Sequence, residues 1–506
     1  MKVPRLLKPL MALALMAGAT VAIVPAGTPA LVSAAPFVCD TLCAGGEYHP
    51  IEPLRIFDSR PADQTNGAGP INDVAPFGRK LQGAAPNTAK FNLDLLGLSN
   101  PSLFQHPWLG GTQVDAASDV LAVVASVTVV NPSQPGFLKA YAKTMDESEP
   151  NASLLNFAAN RNVSNLAILR PDASGILTIA LRGGPAGGAA DVVIDVFGWF
   201  STSSYNVDAA VSSNPATPFG ARLVPVDPAR IEDTRLTSGA VPAASTLHVP
   251  IRGAVQLGTS TVVVPNDPGV VGVVLNVTGV TPTSSTFLSV LPAAPSTAPT
   301  TSNVNLLSGA VKANLVIVPV KADTGDVWVY NHAGSTNVVI DVVGYLQTAT
   351  VETTRAGRVV PLTTPFRAFD TRSAQFGSVP LGPRQAEDWS FAAFSASVNI
   401  GGVSVGLQSA LIGNLTNAAL GRQLPTSPVT SFLTVYPRPA GTSDAPPTVS
   451  NLNSVDTTFG ADGVPVPNMA LVRYKPADQT VRVFNYSGYA DYLLDVSAVV
   501  LADPLP

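Results

Sequence analysis

The apolar residues of this chain fall into short β-branched runs closed by turn residues, and the order of those runs returns three times. The middle third shows the pattern best. Its runs go from Leu247 to Ile251, Val271 to Val280, Phe287 to Leu291, Val304 to Leu307, Leu315 to Val320, Val327 to Tyr330 and Val338 to Tyr345. Runs of this length between Pro, Gly, Ser, Thr and Asn clusters predict β-strands. No segment past the N-terminus carries a convincing helical period, and from Asn92 to Ser99 one or two turns of helix are expected at most. Roughly seven or eight strands in about 130 residues fit a β-sandwich, whereas a propeller blade takes about 40–50. The fold class expected is all-β, with three tandem β-sandwich-like repeats; one barrel or prism built from all three is the alternative.

Each third opens on the same stretch. Pro53-Leu-Arg-Ile-Phe-Asp-Ser-Arg60, Pro228-Ala-Arg-Ile-Glu-Asp-Thr-Arg235 and Pro365-Phe-Arg-Ala-Phe-Asp-Thr-Arg372 all read Pro-x-Arg-x-x-Asp-[Ser/Thr]-Arg. Each third closes on an apolar strand with an aspartate inside it: Asp191-Val-Val-Ile-Asp195, Asn337-Val-Val-Ile-Asp341 and Asp491-Tyr-Leu-Leu-Asp495. Between them come a hydroxyl-bearing strand, a Phe-Leu strand and a Ser-x-x-Asn step (Ser153/Asn156, Ser302/Asn305, Ser450/Asn453). A further asparagine (Asn165, Asn314 or Asn468) then leads into another apolar run. A recurrence of this kind predicts an internal repeat. The expected organisation is a signal peptide over 1–34, a short segment over 35–47, and repeats over 48–205, 206–350 and 351–506. The first repeat is longer than the others by about 25 residues, placed at about 92–116, and insertions of this kind go into loops.

Composition narrows the partners. Charged residues are only 12% of the chain and no basic stripe occurs, so nucleic acid is not expected as a partner. Lys2, Arg5 and Lys8, the apolar stretch from Leu10 to Val24 and the small residues Val32-Ser-Ala34 make a secretory signal. Once it is removed no transmembrane segment is expected, because the later apolar stretch from Val262 to Val280 is broken by Pro265 and Pro268. Cys39 and Cys43 are the only cysteines, and in an oxidising compartment they are expected to pair. A structural metal needs more ligands than these two, and neither metal nor cofactor is expected.

An aspartate in a Val-Val-Ile run is costly to bury unless it is paired and hydrogen-bonded. The charges that recur in step with Asp195, Asp341 and Asp495 are those of the opening stretch. Each repeat is therefore expected to pair its first strand with its last. Either Arg60, Arg235 and Arg372 or the earlier Arg55, Arg230 and Arg367 would clamp the closing aspartate through the bidentate arginine fork. Asp58, Asp233 and Asp370 are expected to hold a turn by accepting backbone N–H bonds. The competing readings of these residues are a carboxylate pair for acid–base work and an oxygen-rich cation site. A device used three times with the same apolar flanks favours structure, so no catalytic residue is assigned. None of the four histidines lies in a hydrolase motif. Trp108, beside His106 in the insertion, is the aromatic best placed to stack on a sugar; Trp199 and Trp328 lie in strand patterns and are expected to pack inside.

These motifs resemble a repeat of secreted proteins from actinobacteria and their relatives, which begins Pro-x-Arg-x-x-Asp-Thr-Arg and ends Asp-Val-x-Gly-Tyr/Phe. Asp195-Val-Phe-Gly-Trp199 and Asp341-Val-Val-Gly-Tyr345 carry that ending, while Asp495-Val-Ser-Ala-Val499 departs from it, as does Ser59 in place of Thr. The resemblance implies export and an envelope association. In that family the repeat is often an accessory region beside a hydrolase, but here the three repeats use up the chain. The expected function is a secreted or cell-surface structural or binding protein, partnered by envelope polysaccharide or a surface protein. The alternative is a secreted hydrolase of glycans or esters.

Overall fold

The computed structural model describes residues 5–6, 45–61, 81–82, 90–97, 105–106, 112–113, 119–182, 188–202, 220–349, 355–377, 379–397, 399–400, 403–404, 407–418, 431–439, 446, 448–454, 465–475 and 478–502. The chain is all-β and sandwich-like. Each third holds an inner and an outer sheet, antiparallel except where Arg5–Leu6 adds a parallel edge to the outer sheet of the last third, opposite Trp389 and Ser390. In the first third the inner sheet runs Val163–Leu169, Val120–Val130, Ala189–Ser201, Tyr48–Asp58. The second runs Val311–Pro319, Val270–Val280, Asn337–Ala349, Gly220–Asp233, and the third Val466–Arg473, Gln408–Asn417, Tyr492–Leu501, Val359–Asp370. The outer sheets repeat the same way, as in Ser245–Pro250, Asp326–Asn331, Thr286–Leu291, Val304–Leu306 of the second third. First and last strands lie side by side in every third, as the opening and closing stretches predict.

Side-chain alternation explains why the inner strands are apolar throughout. Successive residues of a strand point to opposite faces. On Val120–Val130, Val123, Ala125, Val127 and Val129 enter the core between the two sheets of the first third. Leu121, Ala122 and Val124 point the other way, into a core that also receives Val274, Leu315 and Ile317 from the second third and Ala410, Ile412, Met469 and Leu471 from the last. Every residue of that strand is buried, because one face meets its own outer sheet and the other meets the neighbouring thirds. The units are thus not independent sandwiches, since one shared core lies among all three. Their opening strands also touch. Ala221 pairs with Tyr48, Gly46 with Val359, and the Leu223 N–H donates to the Gly357 carbonyl at 2.9 Å.

Two expectations need correction. Asn92 to Asp94, the start of the expected helical turns, belongs instead to Lys90–Asp94, the edge strand of the first outer sheet, pairing with Ile176–Arg182. Phe91 and Leu93 point into the core while Lys90, Asn92 and Asp94 face out, an alternation that five residues were too few to announce. Most of the extra chain of the first third lies ahead of this strand rather than at 92–116: 31 residues separate Asp58 from Lys90, against 11 between Asp233 and Ser245 and 14 between Asp370 and Gln385. The third unit also carries one short helix, Ala392–Ser397. Gly198, in the closing motif, lies beside a register shift of the first inner sheet, where a Cβ would run into the Tyr48 ring and the His49 carbonyl. Tyr48 takes that space and donates its hydroxyl to the Phe197 carbonyl at 2.9 Å.

Candidate functional site

The recurring charges assemble into three like clamps. Cross-strand register places Arg55 opposite Asp195, Arg230 opposite Asp341 and Arg367 opposite Asp495. Arg55 Nε and Nη2 donate to the two Asp195 oxygens at 2.8 and 3.1 Å. Arg230 holds Asp341 at 2.9 and 3.4 Å, and Arg367 holds Asp495 at 2.9 and 3.1 Å. The third guanidinium nitrogen in each case reaches the turn aspartate: Asp58 at 3.3 Å, Asp233 at 3.4 Å and Asp370 at 3.2 Å. Of the two arginines open to this role, the earlier one takes the closing aspartate. The later one (Arg60, Arg235, Arg372) takes the turn aspartate through Nε and Nη2, and its own backbone N–H donates to the same carboxylate at 3.1, 3.2 and 3.1 Å.

The hydroxyl between them latches the closing strand. Ser59, Thr234 and Thr371 donate to Asp191, Asn337 and Asp491, and accept from the backbone N–H of Val192, Val338 and Tyr492. Ser59 makes the same two bonds as the threonines, so the departure from Thr leaves the latch intact. Burial pushes the Asp195, Asp341 and Asp495 carboxyls above their ordinary range, against the pull of their arginines. Burial also acts to raise Asp233 and Asp370, but the hydrogen bonds from Arg235 and Arg372 win and hold both below it.

The clamps also face the junctions between units. The Ser450 backbone N–H donates to Asp341, and that of Ser153 to Asp495, each serine belonging to the next unit. In the first unit Arg55 Nη2 reaches across to the Thr300 carbonyl at 2.8 Å. Beside the aspartates, buried asparagines join the units. Asn165 donates to Asn414 at 2.9 Å, Asn468 donates to Asn276 at 2.9 Å, and Asn414 donates to the Ser153 carbonyl at 2.8 Å. The first unit has Ser126 where the others have Asn276 and Asn414, paired across the strand with the closing aspartate in each case. The Ser126 hydroxyl is buried with no hydrogen-bond partner among the described residues.

At the end of the molecule where the opening strands meet, three sequence-equivalent positions converge. They lie three residues before Pro50, Pro225 and Pro361, and hold Glu47, Arg222 and Arg358. Glu47 is fully buried and accepts from Arg222 Nε at 3.1 Å and Arg358 Nε at 3.4 Å. One carboxylate thus bridges two guanidiniums that would otherwise repel at close quarters. Sequence reading missed this cluster. The signal was available as a charge reversal at one slot of the repeat.

Away from these ion pairs lies a cavity of about 450 Å³ lined by residues from all three units. The equivalent asparagines Asn156, Asn305 and Asn453 all border it. So do Val163, Lys312 and Val466, which are also equivalent, each two residues before Asn165, Asn314 or Asn468. Phe287 and His332 stack at 4.4 Å on its second-unit side. Arg161 adds a second cation, and among the described residues no aspartate or glutamate lines the cavity. Burial lowers the Lys312 ammonium to about 8.

The remaining candidates separate. His106 lies on a two-residue strand, Gln105–His106, paired with Thr112–Gln113, while Trp108, Cys39 and Cys43 lie outside the described residues. Trp199 is buried and stacks on His49 at 4.0 Å; Trp328 is half-buried against His248. Among the described residues no cluster of His, Cys, Asp and Glu is placed to hold a metal, and no helix is long and apolar enough to cross a membrane.

No protein-family model matches the chain, and no curated protein matches its sequence. Two solved structures show a low likeness. One is a chain of the Sulfolobus turreted icosahedral virus, 10% identical, with 84% of this chain and 86% of that chain covered and a TM-score of 0.16. The other is the ANXUR1 extracellular domain from Arabidopsis thaliana, 10% identical, with 56% of this chain and 86% of that chain covered and a TM-score of 0.16. At that TM-score neither likeness carries an argument.

Proposed function

We propose that this chain is an exported, non-catalytic binding body whose three β units associate with cell-envelope or extracellular polymer. The observation that carries the reading is the fate of the recurring carboxylates. All of Asp58, Asp195, Asp233, Asp341, Asp370 and Asp495 are buried and held by arginines. A general acid or base must reach a substrate proton within hydrogen-bond distance. Carboxylates saturated by guanidiniums inside a sheet are built to fix strands and unit junctions instead. The signal-like N-terminus and the resemblance to envelope-associated repeats supply the compartment. The cavity shared by the three units supplies a place for a ligand that a purely structural role leaves unused.

The test is retention of the purified protein on insoluble cell-wall and polysaccharide fractions, with release of soluble sugar or acid followed in the same tubes. Retention without release is expected. Release abolished by Asp58→Asn or Asp195→Asn in a folded protein would establish the hydrolase instead. Running Trp108→Ala beside the wild type asks whether that tryptophan contributes to binding.

A further inference from the structure

We propose that the cavity among the three units is the binding site for an acidic saccharide, with Lys312 as the anchor for its carboxylate. This rests on the polymer-binding reading and names the ligand class. Three features point the same way. First, the slot occupied by Lys312 is filled by Val163 and Val466 in the other two units, all three bordering the cavity. Two apolar side chains therefore face one cation where the fold itself needs only apolar surface.

Second, the cation is not consumed. Lys312 has no carboxylate partner among the described residues, and Arg161 stands in the cavity wall likewise without one. An unpaired ammonium in a cavity costs stability by itself. A site that supplies positive charge and no lining acid is complementary to an anion. Third, the rest of the wall suits hydroxyls on a flat apolar ring. Asn156, Asn305 and Asn453 spend amide donors on Ser153, Ser302 and Ser450 at 3.2, 3.2 and 3.1 Å, and the Asn156 and Asn305 side chains keep an amide oxygen that can accept from a sugar hydroxyl. The Phe287–His332 stack and Leu306 give the apolar surface on which a pyranose face packs. A bare phosphate needs no such wall, and a neutral sugar needs no lysine.

Among the described residues, Lys312, Arg161 and His332 are the titratable and charged groups that line the cavity. The ammonium is therefore the group whose loss of charge should weaken binding as pH rises past about 8.

The experiment is calorimetric titration of the purified protein with trigalacturonic acid, its methyl ester and inorganic phosphate, from pH 6 to pH 10. Lys312→Met and Arg161→Gln are run in parallel. The acid is expected to bind, with affinity falling about tenfold or more in Lys312→Met, in the ester and above pH 9, as for the loss of one charge-assisted contact. Lys312→Met replaces a desolvated charge by an apolar chain, so it should melt no lower than the wild type and loss of binding cannot be put down to unfolding. Equal affinity for acid and ester overturns the carboxylate anchor. Phosphate bound as tightly as the saccharide overturns the sugar assignment and leaves a simple anion site. Absence of binding to all three overturns the site altogether. Retention on polysaccharide fractions separates this from the broader reading. A protein retained there, but equally in Lys312→Met, binds polymer elsewhere; one not retained, yet binding the free acid, keeps the site and overturns the polymer reading.

Discussion

Replacing Asp341 by alanine tests the clamp where its consequences spread furthest. The substitution removes both acceptors of the Arg230 fork, at 2.9 and 3.4 Å, and the acceptor of the Ser450 backbone N–H in the next unit. Breaking one side of a buried ion pair costs about 3–5 kcal/mol, because the partner charge is left desolvated. Arg230 is 18% exposed and keeps Asp233 at 3.4 Å, which puts its share at the low end. An orphaned buried N–H adds about 1–3 kcal/mol. The two together keep the expected loss near 3–5 kcal/mol. Urea unfolding followed through the buried Trp199 and Trp389 reads it as a lower midpoint at unchanged slope.

Two controls give the number meaning. Lys321→Ala removes an exposed pair with Asp323 and should leave the unfolding midpoint within the scatter of a surface change. Asp341→Ala combined with Arg230→Met should cost clearly less than the sum of the two single changes, since each removes the reason the other is costly. Hydrogen exchange gives a local readout: the Ser450 amide, in the third unit, should lose protection when an aspartate of the second is removed. A loss below about 1 kcal/mol, or additivity within about 0.5 kcal/mol, would refute the clamp.

Three more outcomes are expected. Glu47→Gln removes the negative charge that Arg222 and Arg358, 8% and 4% exposed, both bind, and should lower stability by about 3–5 kcal/mol; a shift within about 1 kcal/mol in thermal unfolding would show the bridge idle. Asn414→Ala removes the acceptor of Asn165 and a donor to Ser153 at one inter-unit seam, and should cost about 1–3 kcal/mol by the same measurement. Lys312 has its folded pKa lowered to about 8 from the ordinary 10.5, so between those values the unfolded chain holds more protons. Stability relative to Lys312→Met should therefore rise as pH climbs from about 8 to about 10.5, and a flat difference across that window would place the ammonium in solvent.

Sequence pattern carried the strand order and the pairing of first strand with last, because both are written in local periodicity and in charges that recur in step. The choice between Arg55 and Arg60 was not readable. Both arginines carry the same fork, and only the register of Asp195 opposite Arg55 decides between them. Lys90–Asp94 escaped for a different reason, being a five-residue edge strand with polar residues outward. The shared core lay hidden in plain view. A strand such as Val120–Val130 is apolar on both faces, which says that both are covered but not by what. Asn165 and Asn468 stand out in the sequence as landmarks, yet their partners Asn414 and Asn276 lie more than a hundred positions away in other units.

The departures from threefold likeness are what give this scaffold direction. With three identical units, Glu47, Arg222 and Arg358 would be one residue type, and three like charges would meet at one place in the core. A glutamate in one slot turns that repulsion into a bridge. Elsewhere, in the cavity wall, the logic runs in reverse. Val163 and Val466 show what the fold asks of the slot, and Lys312 replaces that apolar filling with an unpaired charge. The first asymmetry lowers the folding free energy; the second, by burial alone, raises it. A change that costs stability and gains no internal partner is accounted for when its partner comes from outside the chain. On that argument the position to probe for recognition is the one lysine that breaks the repeat, while the twelve recurring clamp residues hold the frame around it.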